Sequence, residues 1–285
     1  SPSPEFDGIW HSSHPDYAAW SDLADTLRLL HIDQNRVAFA TQYETQDTTS
    51  EMARLVHRVQ EGMEPDILDQ EVEFLRSNIW YSAWKGHTRV PIFQHGEPPY
   101  LTEGGGFRFD ESGWPEIAGW ETVDLVISVP IDTEEPEGGW PVVLYVHGTG
   151  GSASGFADGI SGLEVASMLA GAGAVGMGIS LPFHGDRDMG VDPALVSFNY
   201  FNAVAGRSNF RQAAVEQIWL IEALFEHGHN FWGASEDLSI DLRTDPSAVA
   251  YMGHSHGGEV GIIAAPFLGH RIRGMVLSGA GGGLS

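Results

Sequence analysis

The chain has 285 residues, enough for one large domain or for a large and a small one. Hydrophobic residues make up 42% of it and aromatic residues 11%, a composition that supports a sizeable buried core. The formal net charge is -25, and such an acidic surface repels phosphate backbones and argues against nucleic-acid binding. The absence of cysteine excludes a disulfide framework, a thiolate nucleophile and a cysteine-ligated metal site. No apolar run is long enough to span a bilayer, and no signal peptide is recognisable in the sequence.

The first part of the chain predicts a small α/β lead-in region, residues 1–77. Apolar residues at helical spacing predict a helix over Tyr17–Leu30 and another over Ser50–Val59. The segment Val37–Ala40 is a candidate for a short buried strand, and Ile67–Leu75 for a third helix.

From residue 78 onward, strand and helix patterns alternate up to residue 285. The predicted strands are Thr88–Phe93, Val123–Val129, Val142–Val146, Ala174–Leu181, Ala248–Met252 and Ile272–Ser278, and the predicted helices are Gly162–Ala170, Phe210–Phe225 and Gly258–Phe267. This alternation predicts an α/β fold with a mostly parallel sheet and helices on both faces. The functional residues of such a fold lie in loops after the carboxyl ends of the strands.

The pentapeptide Gly253–Gly257 has the G-x-S-x-G pattern with Ser255 at its centre. Taken alone the pattern is common, but here it lies between an apolar strand and a helix that starts near Gly258, as a nucleophile elbow requires. Small residues two positions either side of the serine let strand and helix pass each other. The pattern therefore predicts Ser255 as a nucleophile, in preference to an ordinary helix-capping serine.

A second glycine-rich segment, His147–Gly151, follows the longest apolar strand. Glycines such as Gly148 leave backbone amides uncovered, and about two such amides are needed to stabilise a tetrahedral oxyanion. We expect these amides to be those of Thr149 and of His256, the residue after the serine. A phosphate-binding loop is the alternative, but the Lys-Ser/Thr pair of a P-loop is missing.

The segment Leu181–Arg187 follows the next strand and carries further polar residues. In the chain order of a Ser-acid-His triad, Asp186 and Asp188 come too early to be the acid, so a structural loop is expected, with Arg187 paired to a carboxylate. His184 is a candidate for lining the pocket.

The remaining histidines and a later aromatic segment complete the candidate site. His254 and His256 flank the nucleophile on a sharp turn, so neither is expected to be its base, and a third ligand for a metal site is not recognisable. His227 and His229 are expected at a solvated helix end. The insertion of residues 193–209 could roof an apolar pocket or pack on itself, and Ser208 could cap the following helix. The residues expected to line the pocket or support the site are His147, Gly148, His184, His254, Phe198 and Tyr200.

Taken together, the strand followed by HGTGG, the LPFHGDR segment and GHSHGG resemble the α/β-hydrolase superfamily over roughly residues 85–285. Within it, GWPVVLYVHGTGG and FNAVAGRSNFRQ are similar to bacterial virulence-factor-lipase-type hydrolases, which are secreted esterases. The resemblance implies hydrolysis of a small-molecule ester or lipid through an acyl-enzyme on Ser255, without a cofactor. It also implies an extracellular or periplasmic location.

The resemblance is incomplete at residues 279–285, because the family's acid and histidine have no matching positions before the sequence ends. Three explanations are compatible with this: a processed enzyme whose remainder, a second polypeptide, stays bound; a truncated sequence; or a base from an unusual place, His147 or His184. A peptidase of the same fold and a catalytically silent binding domain are the alternative functions.

Overall fold

A computed structural model describes residues 13–15, 17–37, 47, 49–62, 70–159, 161–233 and 240–281. The chain divides into two compact units, Ser1–Asp47 and Thr48–Ser285, so the lead-in region of residues 1–77 spans parts of both. In the first unit, helix α1 (Tyr17–Leu29) confirms the first predicted helix, and a 3₁₀ turn follows at Gln34–Arg36. The strand predicted at residues 37–40 lies mostly outside the described residues.

The second unit alternates helices and strands, with most of the predicted elements at or near their expected positions. Its helices are α2 (Ser50–Gly62), α3 (Val165–Gly171), α4 (Pro193–Phe198), α5 (Ala203–His227) and α6 (His256–Leu268), and a 3₁₀ turn spans Gly185–Arg187. Its strands are β1 (Gln70–Ser77), β2 (Tyr81–Ile92), β3 (Gln94–His95), β4 (Gly106–Phe107), β5 (Gly119–Pro130), β6 (Trp140–Val146), β7 (Val175–Ile179), β8 (Asn230–Gly233), β9 (Asp241–His254) and β10 (Met275–Ser278).

The main sheet has the strand order β10-β9-β6-β7-β5-β2-β1-β8. Strands β7, β6, β9 and β10 are parallel neighbours, whereas β2 is antiparallel to both β1 and β5, and β5 is antiparallel to β7. The α/β class is therefore confirmed, and the sheet is mixed: its parallel half carries the predicted motifs, and its other half is antiparallel. A small separate sheet pairs β3 with β4.

The helix predicted over Ile67–Leu75 is wrong in its described part, because residues 70–77 form strand β1. Only a short turn separates β1 from β2, and a connection of that length can join antiparallel strands but not parallel ones. Val72 of β1 is 2% exposed while Glu71 and Glu73 are exposed, the alternation typical of a half-buried strand. This segment forms a strand because it pairs with β2 on one side and with β8 on the other.

Helices cover both faces of the sheet. On β5, Leu125 and Ile127 point into the larger core, which includes side chains of α2, α5 and α6, and Val126 points into a smaller core that includes side chains of α3. This split follows from the two-residue period of a strand. The sheet is thus buried on both sides along its centre.

Helix α5 is longer than predicted and buried all round rather than amphipathic. The apolar side chains of its middle turns that are at most 1% exposed are Ala213, Ala214, Val215, Ile218, Trp219, Leu220, Ile221, Ala223 and Leu224. The cap is Asn202 rather than the predicted Ser208: the Asn202 side chain accepts from the Ala205 amide, while Ser208 is buried within the helix.

Strand β8 connects β1, at the outer end of the antiparallel strands, to β9 among the parallel strands. It pairs in parallel with β1 and antiparallel with the first residues of β9, through the partners Phe231 and Leu242. The strands from β9 through β6, β7, β5, β2, β1 and β8 therefore form a closed ring, with β10 outside it. Among the described residues, no helix combines the length and the apolar character needed to cross a membrane.

Candidate active site

Ser255 lies at the turn between β9 and α6, with φ 51° and ψ −116°. A positive φ is strained for a residue with a Cβ and costs about 1–3 kcal/mol, so the surrounding contacts must hold it. They do: the Ser255 amide donates to the Ser278 carbonyl at 2.7 Å, and its carbonyl accepts from the amides of Gly258 and Glu259 at 2.8 and 3.0 Å. The backbone on either side of the hydroxyl is therefore fixed before any ligand binds.

The glycines that flank the turn are required by close contacts. A Cβ on Gly253 would collide with the carbonyl oxygen of Gly257, and a Cβ on Gly257 would collide with the carbonyl oxygen of Val146 in β6. Strand β9, helix α6 and strand β6 therefore meet at a separation that only glycine allows. The spacing of the G-x-S-x-G pattern is explained by this packing.

The segment after β6 packs directly on this turn. A Cβ on Gly148 would lie 3.1 Å from the Ser255 Cβ and 3.3 Å from His254 Cδ2. In the described part of the chain, neither the Thr149 N–H nor the His256 N–H donates to a backbone or side-chain acceptor. Two uncommitted amides therefore flank Ser255, one from each segment predicted to supply an oxyanion hole.

Ser255 is a strained serine at the carboxyl end of a central parallel strand, followed at once by a helix and faced by the loop of the neighbouring strand, which is the backbone geometry of a nucleophile elbow. The chain has the α/β-hydrolase fold. The roles of Ser255, Thr149 and His256 in this fold stay predictions.

Comparisons with known proteins give the following matches. No protein-family model and no curated protein matches the sequence. Solved structures that the chain is similar to include the acetyl xylan esterase from Paenibacillus sp. R4, at 14% identity and a TM-score of 0.44, covering 83% of this chain and 61% of that one. Acetyl xylan esterase 1 from Thermoanaerobacterium sp. matches at 15% identity and a TM-score of 0.47, covering 83% and 59%. A cold-adapted esterase from an Arctic intertidal metagenomic library matches at 17% identity and a TM-score of 0.35, covering 71% and 62%. The chain thus spans about three fifths of the length of these structures.

Three buried imidazoles lie behind the elbow. The ring centroids of His147 and His184 are 5.2 Å apart, and those of His184 and His256 are 5.5 Å apart. Burial lowers the pKa of His147 to about 4 and that of His256 to about 3, and it lowers the pKa of His184 as well. All three rings are therefore neutral at physiological pH.

None of these histidines is placed as the base for Ser255. Both ring nitrogens of His147 are engaged by backbone groups, and Nδ1 of His184 bonds to the Pro182 carbonyl at 2.8 Å. The second nitrogen of His184 and both nitrogens of His256 are buried without a hydrogen-bond partner among the described residues. The alternative base, His147 or His184, is therefore not supported by the structure.

The other histidines are separate from this cluster. His254 is exposed beside Gly148, consistent with the expected direction of side chains next to the serine on a sharp turn. His229, expected at a solvated helix end, is instead 3% exposed and lies 5.5 Å from the Phe231 ring. Among the described residues, no group of three or more metal-ligating side chains is arranged to hold a metal ion.

The insertion of residues 193–209 packs against His256 through Phe198, and its role as the roof of an apolar pocket stays a prediction. The Phe198 ring lies 5.9 Å from the His256 ring, and Phe210 lies 4.5 Å from it. Tyr200 stacks on Phe198 with centroids 6.4 Å apart and is itself 74% exposed. Phe198 and Tyr200 thus form an aromatic cover, half buried and half in solvent, over the residue that follows the nucleophile.

Buried amides anchor this cover. The side-chain amides of Asn199 and Asn202 both donate to the Tyr100 carbonyl, at 2.8 and 2.9 Å. Because both bonds are buried, the cover is held in place at its base while Tyr200 projects from it.

The LPFHGDR segment forms the structural loop that was predicted. The Arg187 guanidinium donates to Glu216 at 2.6 and 3.0 Å, to Glu121 at 2.7 and 3.1 Å and to the Ser180 carbonyl at 3.0 Å. Asp186 accepts from the Asp124 amide at 2.8 Å. The pairing of Arg187 with a carboxylate is confirmed, and it ties the loop to α5 and β5.

A cavity of about 390 Å³ lies beside this network, lined by Tyr100, Trp120, Glu121, Phe183 and Arg187 among others. Ser255, Thr149 and His256 do not line it. This cavity is therefore separate from the elbow. The chemistry of the elbow, rather than cavity size, identifies the candidate active site.

Sequence reasoning missed the two carboxylates that hold Arg187 and the clustering of the three histidines. Glu216 carried a detectable signal, since it is a charged residue within the apolar stretch of a predicted helix. The anchoring amides, Asn199 and Asn202, carried no comparable signal, because asparagine is ordinary in a loop.

Proposed function

We propose that this protein is a serine hydrolase that cleaves carboxylic esters through an acyl-enzyme on Ser255. The observation that carries the proposal is the strained Ser255 at the N-terminus of α6, flanked by the uncommitted amides of Thr149 and His256. A strained backbone and unpaired N–H donors at one point both lower the stability of the fold. Acyl transfer requires both features, because the serine must be held in place and the oxyanion needs donors.

In the proposed reaction, the Ser255 hydroxyl attacks the ester carbonyl and transfers its proton to a base. The carbonyl oxygen becomes negative and accepts hydrogen bonds from the Thr149 and His256 amides, with the N-terminus of α6 adding a favourable field. Collapse releases the alcohol and leaves the acyl group on Ser255, and water then hydrolyses it.

The acyl group is proposed to lie under the aromatic cover formed by Phe198 and Tyr200. Phe198 and Phe210 pack against the His256 ring, so apolar surface begins at the residue that donates the oxyanion hydrogen bond. Burying an acyl chain there gains about 0.8 kcal/mol per methylene. Esters with an apolar acyl chain, including lipids, are the substrates that this surface favours.

The histidine and the acid of the reaction are proposed to lie outside the described residues. No described side chain hydrogen-bonds to the Ser255 hydroxyl, and the nearby imidazoles are engaged by backbone groups or buried away from solvent. The missing groups are supplied either by further residues of the same protein or by a second polypeptide. Intact mass and a denaturing gel of the purified active protein distinguish these two sources.

The test of the function is covalent labelling together with turnover. The full-length protein should react with a fluorophosphonate probe at Ser255 and hydrolyse p-nitrophenyl esters, and Ser255→Ala should do neither. Ser247→Ala, an exposed serine on the same strand, is the matched control and should behave as the wild type. A wild type that neither labels nor differs from Ser255→Ala would contradict the proposal and favour a silent binding domain, and preference for p-nitroanilides would favour a peptidase.

An extracellular or periplasmic location, implied by the sequence resemblance, remains part of this proposal. Fractionation of cells that produce the full-length protein tests it, since an intracellular protein would remain with the cytosolic markers.

A further inference from the structure

The His147 side chain is held by the backbone through both of its ring nitrogens. The Leu181 amide lies 2.9 Å from Nε2, and the Gly148 carbonyl oxygen lies 2.7 Å from Nδ1. An amide N–H can only donate, so Nε2 must be the unprotonated, accepting nitrogen of a neutral ring. The proton is therefore on Nδ1, and Nδ1–H donates to the Gly148 carbonyl.

The neutral form that this pattern requires is also the form that burial favours. His147 is 3% exposed and lies against the His184 ring. Gly151 covers it so closely that a Cβ there would lie 2.8 Å from Nδ1. The tautomer is thus set by two backbone groups and a tight enclosure, without help from a carboxylate.

The bond to Gly148 has a geometric consequence for the next amide. The described residues have their cis peptide bond at Pro98-Pro99, so the Gly148–Thr149 peptide is trans. In a planar trans peptide the C=O and the following N–H point in opposite directions. Drawing the Gly148 oxygen onto His147, with a second bond from the Gly151 amide at 3.0 Å, turns the Thr149 N–H away from the His147 ring.

Ser255 lies close to the start of this peptide. Gly148 has no side chain between its backbone and Ser255, since a Cβ there would lie 3.1 Å from the Ser255 Cβ. The Thr149 N–H finds no acceptor among the described residues. Two hydrogen bonds to the Gly148 carbonyl, one of them from His147, therefore fix the direction of an amide that has been left free next to the serine.

We propose that His147 is a positioning residue of the oxyanion hole, acting through the Gly148 carbonyl to aim the Thr149 N–H at the substrate oxygen. The inference rests on the proposed function of Ser255 and adds a specific requirement to it: a donor at the Nδ1 position of residue 147. His147 touches neither substrate nor nucleophile. Its second bond, to Leu181, ties β6 to the loop after β7 and has a purely structural effect.

Two variants separate these bonds. In His147→Asn the side-chain amide N–H occupies the place of Nδ1–H and still reaches the Gly148 carbonyl, but the acceptor for Leu181 is lost. In His147→Gln the side-chain oxygen reaches the place of Nε2 and still accepts from Leu181, but the donor to Gly148 is lost. Both replacements are neutral and polar, so burial is affected similarly.

The positioning role and the structural role predict opposite orders of kcat for these two variants. If His147 positions the oxyanion hole, kcat on a short p-nitrophenyl ester falls roughly 10- to 100-fold in His147→Gln, at little-changed KM, and is largely rescued in His147→Asn. This loss is below the roughly 10²–10³-fold cost of deleting an oxyanion donor outright. Thermal unfolding should show the reverse order, with His147→Asn less stable, because it leaves the buried Leu181 amide without an acceptor.

A kcat that follows stability, or that falls equally in both variants, would overturn the inference. A third readout is the affinity for a boronic acid, whose tetrahedral adduct carries an oxyanion: it should weaken in His147→Gln in parallel with kcat. Loss of labelling at Ser255 in the wild type would instead contradict the proposed function itself, so the two failures are distinguishable.

A measurement on the wild type covers the case in which a variant does not fold. In protein labelled with ¹⁵N-histidine and with its imidazole signals assigned, His147 should show the Nδ1–H tautomer and remain neutral down to about pH 4. The assignment is needed because Nδ1 of His184 also faces a carbonyl oxygen, so the His184 ring should show the same tautomer. An Nε2–H tautomer for His147 would remove the donor to Gly148 and overturn the inference.

Discussion

Two regions at the same edge of the sheet differ in whether their buried polar groups have hydrogen-bond partners. Around Arg187, a buried charge is fully matched: three guanidinium nitrogens donate to Glu121, Glu216 and a carbonyl. Around Ser255, both ring nitrogens of His256, one ring nitrogen of His184 and two backbone amides have no partner in the described structure. Matched groups hold a loop in place, whereas unmatched donors beside a strained serine are available to a substrate. The comparison separates the part of the edge that stabilises the fold from the part proposed to act on an ester.

The largest expected effect comes from Ser255. Replacing it with Gly should reduce ester hydrolysis on the order of 10³-fold or more while raising the free energy of unfolding by about 1 kcal/mol, because glycine adopts the positive φ without strain. Ser255→Ala should lose the same activity without the gain in stability. Urea denaturation and turnover on both variants check this, and equal stability of the two would argue against a strained elbow.

Removing Arg187 from its network of carboxylates should lower the stability of the fold. Arg187→Met leaves Glu216, which is fully buried, without its partner and should cost about 3–5 kcal/mol of unfolding free energy. The exposed pair of Arg243 with Glu135 offers a control, since Arg243→Met should cost less than about 1 kcal/mol. Thermal unfolding compares them. Similar losses in both would show that the Arg187 network is not the stabilising element described here.

The buried His256 beside Ser255 should make the stability of the protein depend on pH. Burial lowers the pKa of His256 from 6.5 to about 3, so the unfolded chain binds a proton at this residue that the folded chain does not. Stability from this residue is complete above about pH 6.5 and is lost as the pH falls below it, by up to about 1.4 kcal/mol per pH unit. His256→Phe should therefore lose less stability than the wild type between pH 7 and pH 5, roughly, while His270→Phe, at an exposed position, should match the wild type. Denaturant titrations at several pH values test this, and parallel slopes for all three proteins would contradict it.

The smallest effect is expected at the aromatic cover. Tyr200→Ala should lower kcat/KM for long-chain esters by roughly 2- to 5-fold and leave short-chain esters and the unfolding temperature nearly unchanged, because the ring is 74% exposed. Phe201→Ala is a close control, since Phe201 is equally exposed, at 73%, and only Tyr200 stacks on Phe198 among the described rings. Equal effects of the two changes on long-chain esters would argue against an acyl surface at Tyr200.

The elbow could be predicted from the sequence because its requirements are local. Gly253, Ser255 and Gly257 lie within five residues, and the strand and helix that give them meaning are adjacent in the chain. Strands β6, β7 and β9 were recognisable for the same reason, as apolar runs of the right length.

What the sequence could not provide depends on distant partners. Residues 70–77 form a strand because β2 and β8 pair with them, and no local propensity anticipates those neighbours. Arg187 is matched by residues 29 and 66 positions away along the chain. The three clustered histidines come from three separate segments of the chain. That these segments are neighbours follows only from the strand order of the sheet.

The closed ring of strands has a consequence for hydrogen exchange. A strand inside a ring cannot fray from one side, because releasing it means breaking two ladders together, whereas β10 is paired on one side among the described residues. Amides of β6 and β7 should therefore exchange with deuterium only through global opening, and those of β10 through local opening. Since the Ser255 amide donates to the Ser278 carbonyl at the end of β10, local opening of β10 should also release the backbone of the proposed nucleophile.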